Sequence, residues 1–309
     1  MSHGRHSAAH REGKQGMSEK PTAHGSDSAA GRRPGAGALE AATLVPESGW
    51  HTLHLFYRVE RGALAALSED ARARGRQELA AALDRKAEGI IEQMQAFAVM
   101  GHKADFGVVL AGPDLRAIHA VQTEIEASAL GPALVPTYSF CSLTEVSEYV
   151  PDAEDYGRIL RERERMDPES AVYKARVAQY ASRLGAMNRQ RITPEFPDWP
   201  CLCFYPMSKS RQPGQNWYTE PFSVRNELMA EHGKSGMKFA GRVSQVITAS
   251  TGLDDWEWGV TLWARNPQYL KDIVYTMRFD EASARYALFG PFYFGFILPP
   301  DELVAALRI

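Results

Sequence analysis

At 309 residues, with 44% hydrophobic and 24% charged side chains, the chain has the ordinary composition of one large or two small packed domains. A formal net charge of −3 supplies no basic field for a phosphate backbone and argues against a nucleic-acid partner. The three cysteines, Cys141, Cys201 and Cys203, lack the spacing of a zinc site or disulfide framework, and no apolar run nears the roughly 20 residues of a membrane span. A reducing, cytoplasmic setting is therefore expected.

Residues 1–46 are rich in Gly, Ala, Ser, His and Arg and almost lack large apolar side chains, which predicts a disordered tail unable to offset the entropy of ordering. The tail carries His3, His6, His10 and His24 without regular spacing, has no apolar stretch of the secretory kind, and includes Met17 as an alternative start. Residues 47–150 follow as a first α+β half. Here "WHTLHLFYRV" predicts a strand, residues 72–97 a helix through Leu79, Leu83, Ile90, Ile91 and Met94, "HKADFGVVLAG" a buried strand, 113–127 a helix and "PTYSFCSLTEV" another strand. This is the ferredoxin-like order.

Residues 151–190 are charged and helical and are expected to run over the surface. Residues 191–309 then repeat the first order. "PCLCFYPM" predicts a strand, "FSVRNELMAEHG" a helix closed by Gly233, "RVSQVITAST" and "WEWGVTLWAR" two strands around the turn "GLDD", 267–286 a helix and "FGPFYFGFIL" a last strand. Two such halves can set their sheets side by side in one barrel around a concave site.

Several motifs fail on context. "HGKSG" lacks the earlier glycine of a phosphate loop, that position being Leu228, and "GRRPGAG" follows no strand. Asp254 and Asp255 fall in a turn, where Asp is favoured for backbone reasons.

What remains is a set of residues that each have a plain reading. His232 ends its expected helix just before Gly233; a histidine there complements the helix dipole more often than it binds iron, although one proximal histidine suffices for haem. Tyr205 and Trp217 could be core or rim anchors, Lys209 and Arg211 solvated charges, and Arg278 with Asp280 a surface ion pair of little energetic value. Gln245 lies in the apolar strand "VSQVIT", where a buried amide without a partner would cost about 1–3 kcal/mol, so a pocket-facing role is attractive.

Read together, "CFYPMSKSRQPGQNWY", "LMAEHG", "AGRVSQVITASTGLDDWEWGVTL" and "IVYTMRFDEASARY…FGPF" resemble the coproheme decarboxylases of the chlorite dismutase-like superfamily, most closely the Firmicutes-type haem-synthesis branch. The resemblance runs from about residue 48 to the C-terminus, with a longer excursion at 151–190 than the family would suggest. It implies an α+β fold of two ferredoxin-like halves forming a dimeric α+β barrel.

The resemblance further implies that His232 is the proximal iron ligand, that Tyr205 becomes a radical during turnover, and that Lys209 stands beside the reactive propionate with Trp217 and Met207 in the same pocket. Arg191, Arg278 and Ser283 match groups that hold porphyrin propionates, and Tyr149 is a looser match to another. The implied substrate, acting as its own cofactor, is Fe-coproporphyrin III (coproheme), and hydrogen peroxide is the oxidant. Haem b is the implied product, formed by converting two propionates to vinyls, with a coproporphyrin ferrochelatase upstream and a homo-oligomer, commonly a pentamer, as the assembly.

Thirteen residues after His232, chlorite dismutases carry an arginine where this chain has Gln245. Gln donates a neutral hydrogen bond but supplies no charge for an anionic oxidant, which disfavours chlorite breakdown. A haem peroxidase and a non-catalytic haem-binding α+β barrel are the remaining alternatives on this fold.

Overall fold

Strand β1 (His51–Val59) alternates between two apolar layers: Leu55, Tyr57 and Val59 face one, while His54 and Phe56 face the other. The structure, a computed structural model, describes residues 42–309, so the expected tail up to residue 41, with its four histidines and Met17, lies outside the described residues. Inside the tail's expected span the chain is already held at Leu44, whose carbonyl pairs with His51 Nε2 at 2.7 Å.

After β1 come α1 (Arg61–Ala66), α2 (Glu69–Ala82), β2 (Gln93–Val99), β3 (Phe106–Gly112), α3 (Leu115–Ala127) and β4 (Leu134–Thr144). Ser68 starts α2 by accepting the Ala71 N–H. The helix expected over 72–97 is too long, because it stops at Ala82 and the chain turns through Gly89 at φ +71°. Leu79 and Leu83 belong to the helical stripe, whereas Met94 lies in β2. Ile90 and Ile91 lie in the turn before β2, so their spacing to Met94 imitated a helical period across a turn and a strand.

Residues 151–190 hold α4 (Ala153–Glu162) and most of α5 (Ala171–Ile192), and α5 buries no residue. The second half contains β5 (Cys201–Lys209), the short hairpin β6 (Arg211–Gln212) and β7 (Gln215–Asn216), α6 (Phe222–Met237), β8 (Val243–Ala249) and β9 (Trp258–Ala264). It ends with α7 (Pro267–Met277), α8 (Glu281–Tyr286), β10 (Ala287–Phe289), β11 (Tyr293–Ile297) and α9 (Pro300–Ala306).

Three expectations in this half need correction. Gly233 does not cap α6, which runs on to Met237 because nothing opposes a helical backbone at that exposed glycine. The helix expected over 267–286 is two helices, separated where Asp280 accepts the Ser283 N–H and starts α8. The last strand is broken at Gly290 and Pro291, where a glycine is needed because a Cβ would fall 2.7 Å from Pro206 and 2.9 Å from Trp256.

Every pairing in the nine-stranded sheet is antiparallel, in the order β10-β5-β11-β2-β3-β1-β4-β8-β9, and β5 also pairs with β9. That extra pairing closes a barrel within one chain, as the two-half reading expects. Phe56, Phe97, Phe140, Phe204, Trp263 and Tyr293 fill its interior, and α2, α3 and α9 cover one outer flank while α7 covers β5 and β9. Two polar contacts tie the halves together inside: His54 Nε2 with Thr261 Oγ1 at 2.8 Å, and Trp263 Nε1 donating to Gln95 Oε1 at 2.7 Å. Burial depresses His54 to about 3, so its ring is neutral there.

At the seam between β11 and β2, a Cβ on Gly295 would sit 1.9 Å from the Ala98 carbonyl oxygen. Gly295→Ala is therefore expected to cost about 1–3 kcal/mol by forcing the seam apart. Gly185→Ala, in exposed α5 with only an ordinary 3.7 Å contact to Arg189, should instead stabilise by about 0.5–1 kcal/mol. Urea denaturation of the two variants should give midpoints on opposite sides of wild type.

Candidate functional site

His232 lies on α6, a full turn short of its end, with its side chain 24% exposed. Its Nδ1 contacts Asp280 Oδ2 at 3.0 Å and Ser283 Oγ at 3.3 Å. The Asp280 side chain is 1% exposed, so the plain alternative of a surface pair between Arg278 and Asp280 does not hold; the acid turns inward to the histidine instead. Burial alone would push the Asp280 carboxyl up, but the bond to His232 and the Ser283 N–H outweigh it and hold the acid below its usual range. Anchoring of Nδ1 fixes the ring and leaves Nε2 as the nitrogen that could ligate a metal.

The same helix start reaches the lysine. Lys209, at the end of β5, is buried and donates from Nζ to the Ala282 carbonyl at 3.0 Å while lying 4.3 Å from the centre of the Trp217 ring. Trp217 follows the β6–β7 hairpin, which is returned by Trp217 N–H donating to the Ser210 carbonyl at 2.9 Å. It packs edge-on against Tyr286 at 5.2 Å and Tyr149 at 6.3 Å, and Arg225 donates to the Tyr149 hydroxyl at 3.0 Å. His232, Ser283, Lys209, Trp217 and Tyr149 thus form one connected group around α8.

Tyr205 and Met207 share the outer face of β5 with Lys209 but belong to the apolar layer beneath α7. Tyr205 stacks on Phe292 at 4.5 Å and lies 5.7 Å from Phe289, over which the Arg278 guanidinium sits at 4.6 Å. Burial first, then the neighbouring Cys203, push the phenol upward, with Arg278 partly opposing. A cavity of about 830 Å³ opens between Lys209, Arg211, Arg278, Trp256, Phe289 and Phe292. Met207, expected to face the same pocket, is not on its lining; it pairs across the strands with Phe289, which is.

Gln245 was expected in an apolar strand and is instead exposed, because β8 buries Val246 and Thr248 in the barrel and turns Gln245 and Ile247 outward. Water can satisfy its amide, so the cost of an unpaired buried group does not arise. Arg191, at the end of α5, is half-buried and has no acidic partner among the described residues, and burial lowers its pKa. Neither residue touches the α8 group. Asp280 escaped sequence reasoning as a site residue, although "DEAS" carries an N-cap signal that could have placed it at a helix start.

Among the described residues no cluster of three or more His, Cys, Asp or Glu side chains could hold a bare metal ion. A metal on His232 would need a macrocycle to complete its coordination. Lys209, Arg211 and Arg278, on the wall of the cavity with Trp256, Phe289 and Phe292, suit a flat apolar ligand with peripheral carboxylates, whereas Arg191 is not on that wall.

The family described as chlorite dismutase matches residues 72–298. The chain belongs to the chlorite dismutase family. It is 36% identical to a coproheme decarboxylase from Staphylococcus carnosus over 84% of this chain and 96% of that protein. Among solved structures it is similar to a heme-binding protein from Thermus thermophilus, with a TM-score of 0.67, 35% identity, and coverage of 85% of this chain and 96% of that one. A mutant chlorite dismutase from Candidatus Nitrospira defluvii shares the fold at 16% identity and a TM-score of 0.63, over 85% of this chain and 98% of that one. No helix among the described residues is long and apolar enough to cross a membrane.

The family's fold positions Lys209 at a cost. Burial first, opposed by Asp280 and Glu257, holds its amine at about 8 rather than 10.5. That depression corresponds to roughly 3 kcal/mol of destabilisation while the amine stays charged. Between these two values the unfolded chain binds more protons than the folded one, so this penalty is present below pH 8 and fades as pH rises towards 10.5. Lys209→Met is expected to be more stable than wild type at pH 7, with the gap narrowing by pH 10; urea unfolding at both values would measure it.

Proposed function

We propose that the protein decarboxylates coproheme oxidatively, using peroxide to convert two propionates to vinyl groups and release haem b. The observation that carries this reading is the α8 group, in which an anchored histidine and a buried lysine are held from one short helix. The similarity to a coproheme decarboxylase over nearly its whole length supports it.

His232 Nε2 binds the iron of the substrate, and Asp280 keeps the ring oriented and electron-rich through Nδ1. Arg191, Arg278, Ser283 and Tyr149 hold the peripheral propionates. The bound iron porphyrin, with peroxide, supplies the oxidising power. Gln245, turned outward on β8, would offer a neutral amide, suited to peroxide rather than to an anionic oxidant. Tyr205 gives up an electron and its phenolic proton, and the resulting phenoxyl radical takes a hydrogen atom from the propionate carbon next to the macrocycle. Loss of a second electron and of carbon dioxide leaves the vinyl group.

Each propionate thus yields one proton and two electrons, and one peroxide accepts two electrons and two protons to become two waters. Lys209, whose amine is poised at about 8, pairs with the reacting carboxylate and supplies the remaining proton. Along β5 it lies about 13 Å from Tyr205 on the same face, with Met207 between them, a span that one flat porphyrin could cover. An upstream coproporphyrin ferrochelatase and a pentameric, cytoplasmic assembly complete the proposal.

Incubation with ferric coproporphyrin III and hydrogen peroxide should remove two carboxyl groups, read by mass spectrometry. Tyr205→Phe is expected to slow conversion about 100-fold or more, near 2.7 kcal/mol of barrier, while leaving the Soret titration close to wild type. Conversion at the wild-type rate would eliminate the tyrosyl step. His232→Ala should lose the proximal-histidine spectrum, and its retention would remove the ligand assignment.

A further inference from the structure

Glu257 lies just before β9 and is buried, with 6% exposure, at a position no site motif singled out. Its Oε2 accepts the Lys209 backbone N–H at 2.8 Å, and its Oε1 meets Arg211 Nη2 at 3.0 Å. Its own N–H donates to the Met207 carbonyl at 3.1 Å and to Ser208 Oγ at 3.2 Å, while its carbonyl accepts the Ser250 N–H at 2.8 Å. One acidic residue therefore ties the end of β5, the loop before β9 and the β6–β7 hairpin together. Arg211 is exposed at the cavity and the carboxylate is not, so the pair spans the wall between solvent and the lysine.

We propose that Glu257 is a positioning residue for Lys209: its carboxylate clamps the lysine backbone to the Arg211 side chain and sets the charge that the buried amine experiences. This rests on the decarboxylase reading only where Lys209 is given a role in the reaction. A buried cation needs nearby anions to stay protonated, and the groups facing this one are few. Asp280 stands at the start of α8, Glu257 before β9 and Arg211 on the hairpin, with Asp255 and Arg278 along the cavity. The Ala282 carbonyl and the Trp217 ring supply the neutral contacts. Glu257 favours the ammonium, and Arg211, paired to Glu257, tempers that effect.

Two charge-removing variants then have opposite signs. In the full-length protein without porphyrin, trace acetylation of Lys209 across pH, quantified by peptide mass spectrometry, reports the midpoint of the amine directly. Glu257→Gln keeps an oxygen for the Lys209 N–H and should move that midpoint down by about one pH unit, whereas exposed Arg211→Gln should move it up by a smaller amount. Midpoints that stay put, or that both move the same way, overturn the clamp. Should Glu257→Gln fail to fold, the sign of the Arg211→Gln shift decides alone: upward supports the clamp, and no shift or a downward one overturns it. With coproheme and peroxide, the alkaline limb of the conversion rate should shift in the same directions. If wild type converts no coproheme while the labelling midpoints still separate, the activity falls and the clamp stands.

Discussion

Strand β5 is the constraint on which the rest of the molecule depends. Its residues pair with β9 along Cys201–Met207 on one edge, and with β11 and then β10 on the other. The barrel closes only through this double pairing, which joins the second half of the chain to β2 of the first by way of β11. Because side chains alternate along a strand, Leu202 and Phe204 then point into the barrel while Tyr205, Met207 and Lys209 share the outer face. Register at β5 therefore decides at once what fills the core and what faces the helices.

The polar end of that outer face, the candidate site, is built from groups that would each be unfavourable if left alone. Asp280 is buried but accepts from Ser283 and contacts His232; Lys209 is buried but has a carbonyl, an aromatic face and two nearby carboxylates. Satisfied in this way, such a network orders the short helix α8 and the histidine ring together. The lysine is still held below its ordinary titration range, so the arrangement is not the most stable one available. A costly charged group retained beside a cleft marks a candidate site.

Much of the architecture was legible as pattern. The two α+β halves, though not strand β2 of the first, the surface helices at 151–190 and the strand carrying Tyr205 and Lys209 follow from apolar periodicity and turn residues. Errors arose where periodicity is ambiguous. Met94 continued a helical count by coincidence across the turn before β2, and Gly233 resembled a cap although its exposed position leaves the helix free to continue. The break at Asp280 was also missed, since an N-cap signal inside an apolar stretch competes with a longer helix.

By itself the sequence determined the fold class and, through the resemblance of its motifs, the family, and it offered many but not all of the chemically able residues, because alternation and motif spacing are local properties of the chain. Only the tertiary structure decided how those residues are grouped. It placed Asp280 against His232 and turned Gln245 outward. It also set Lys209 over Trp217 and assigned Glu257 to the Lys209 backbone. These outcomes depend on which strand faces and helix starts meet across the closed barrel, and contacts between residues dozens of positions apart leave no local period to read.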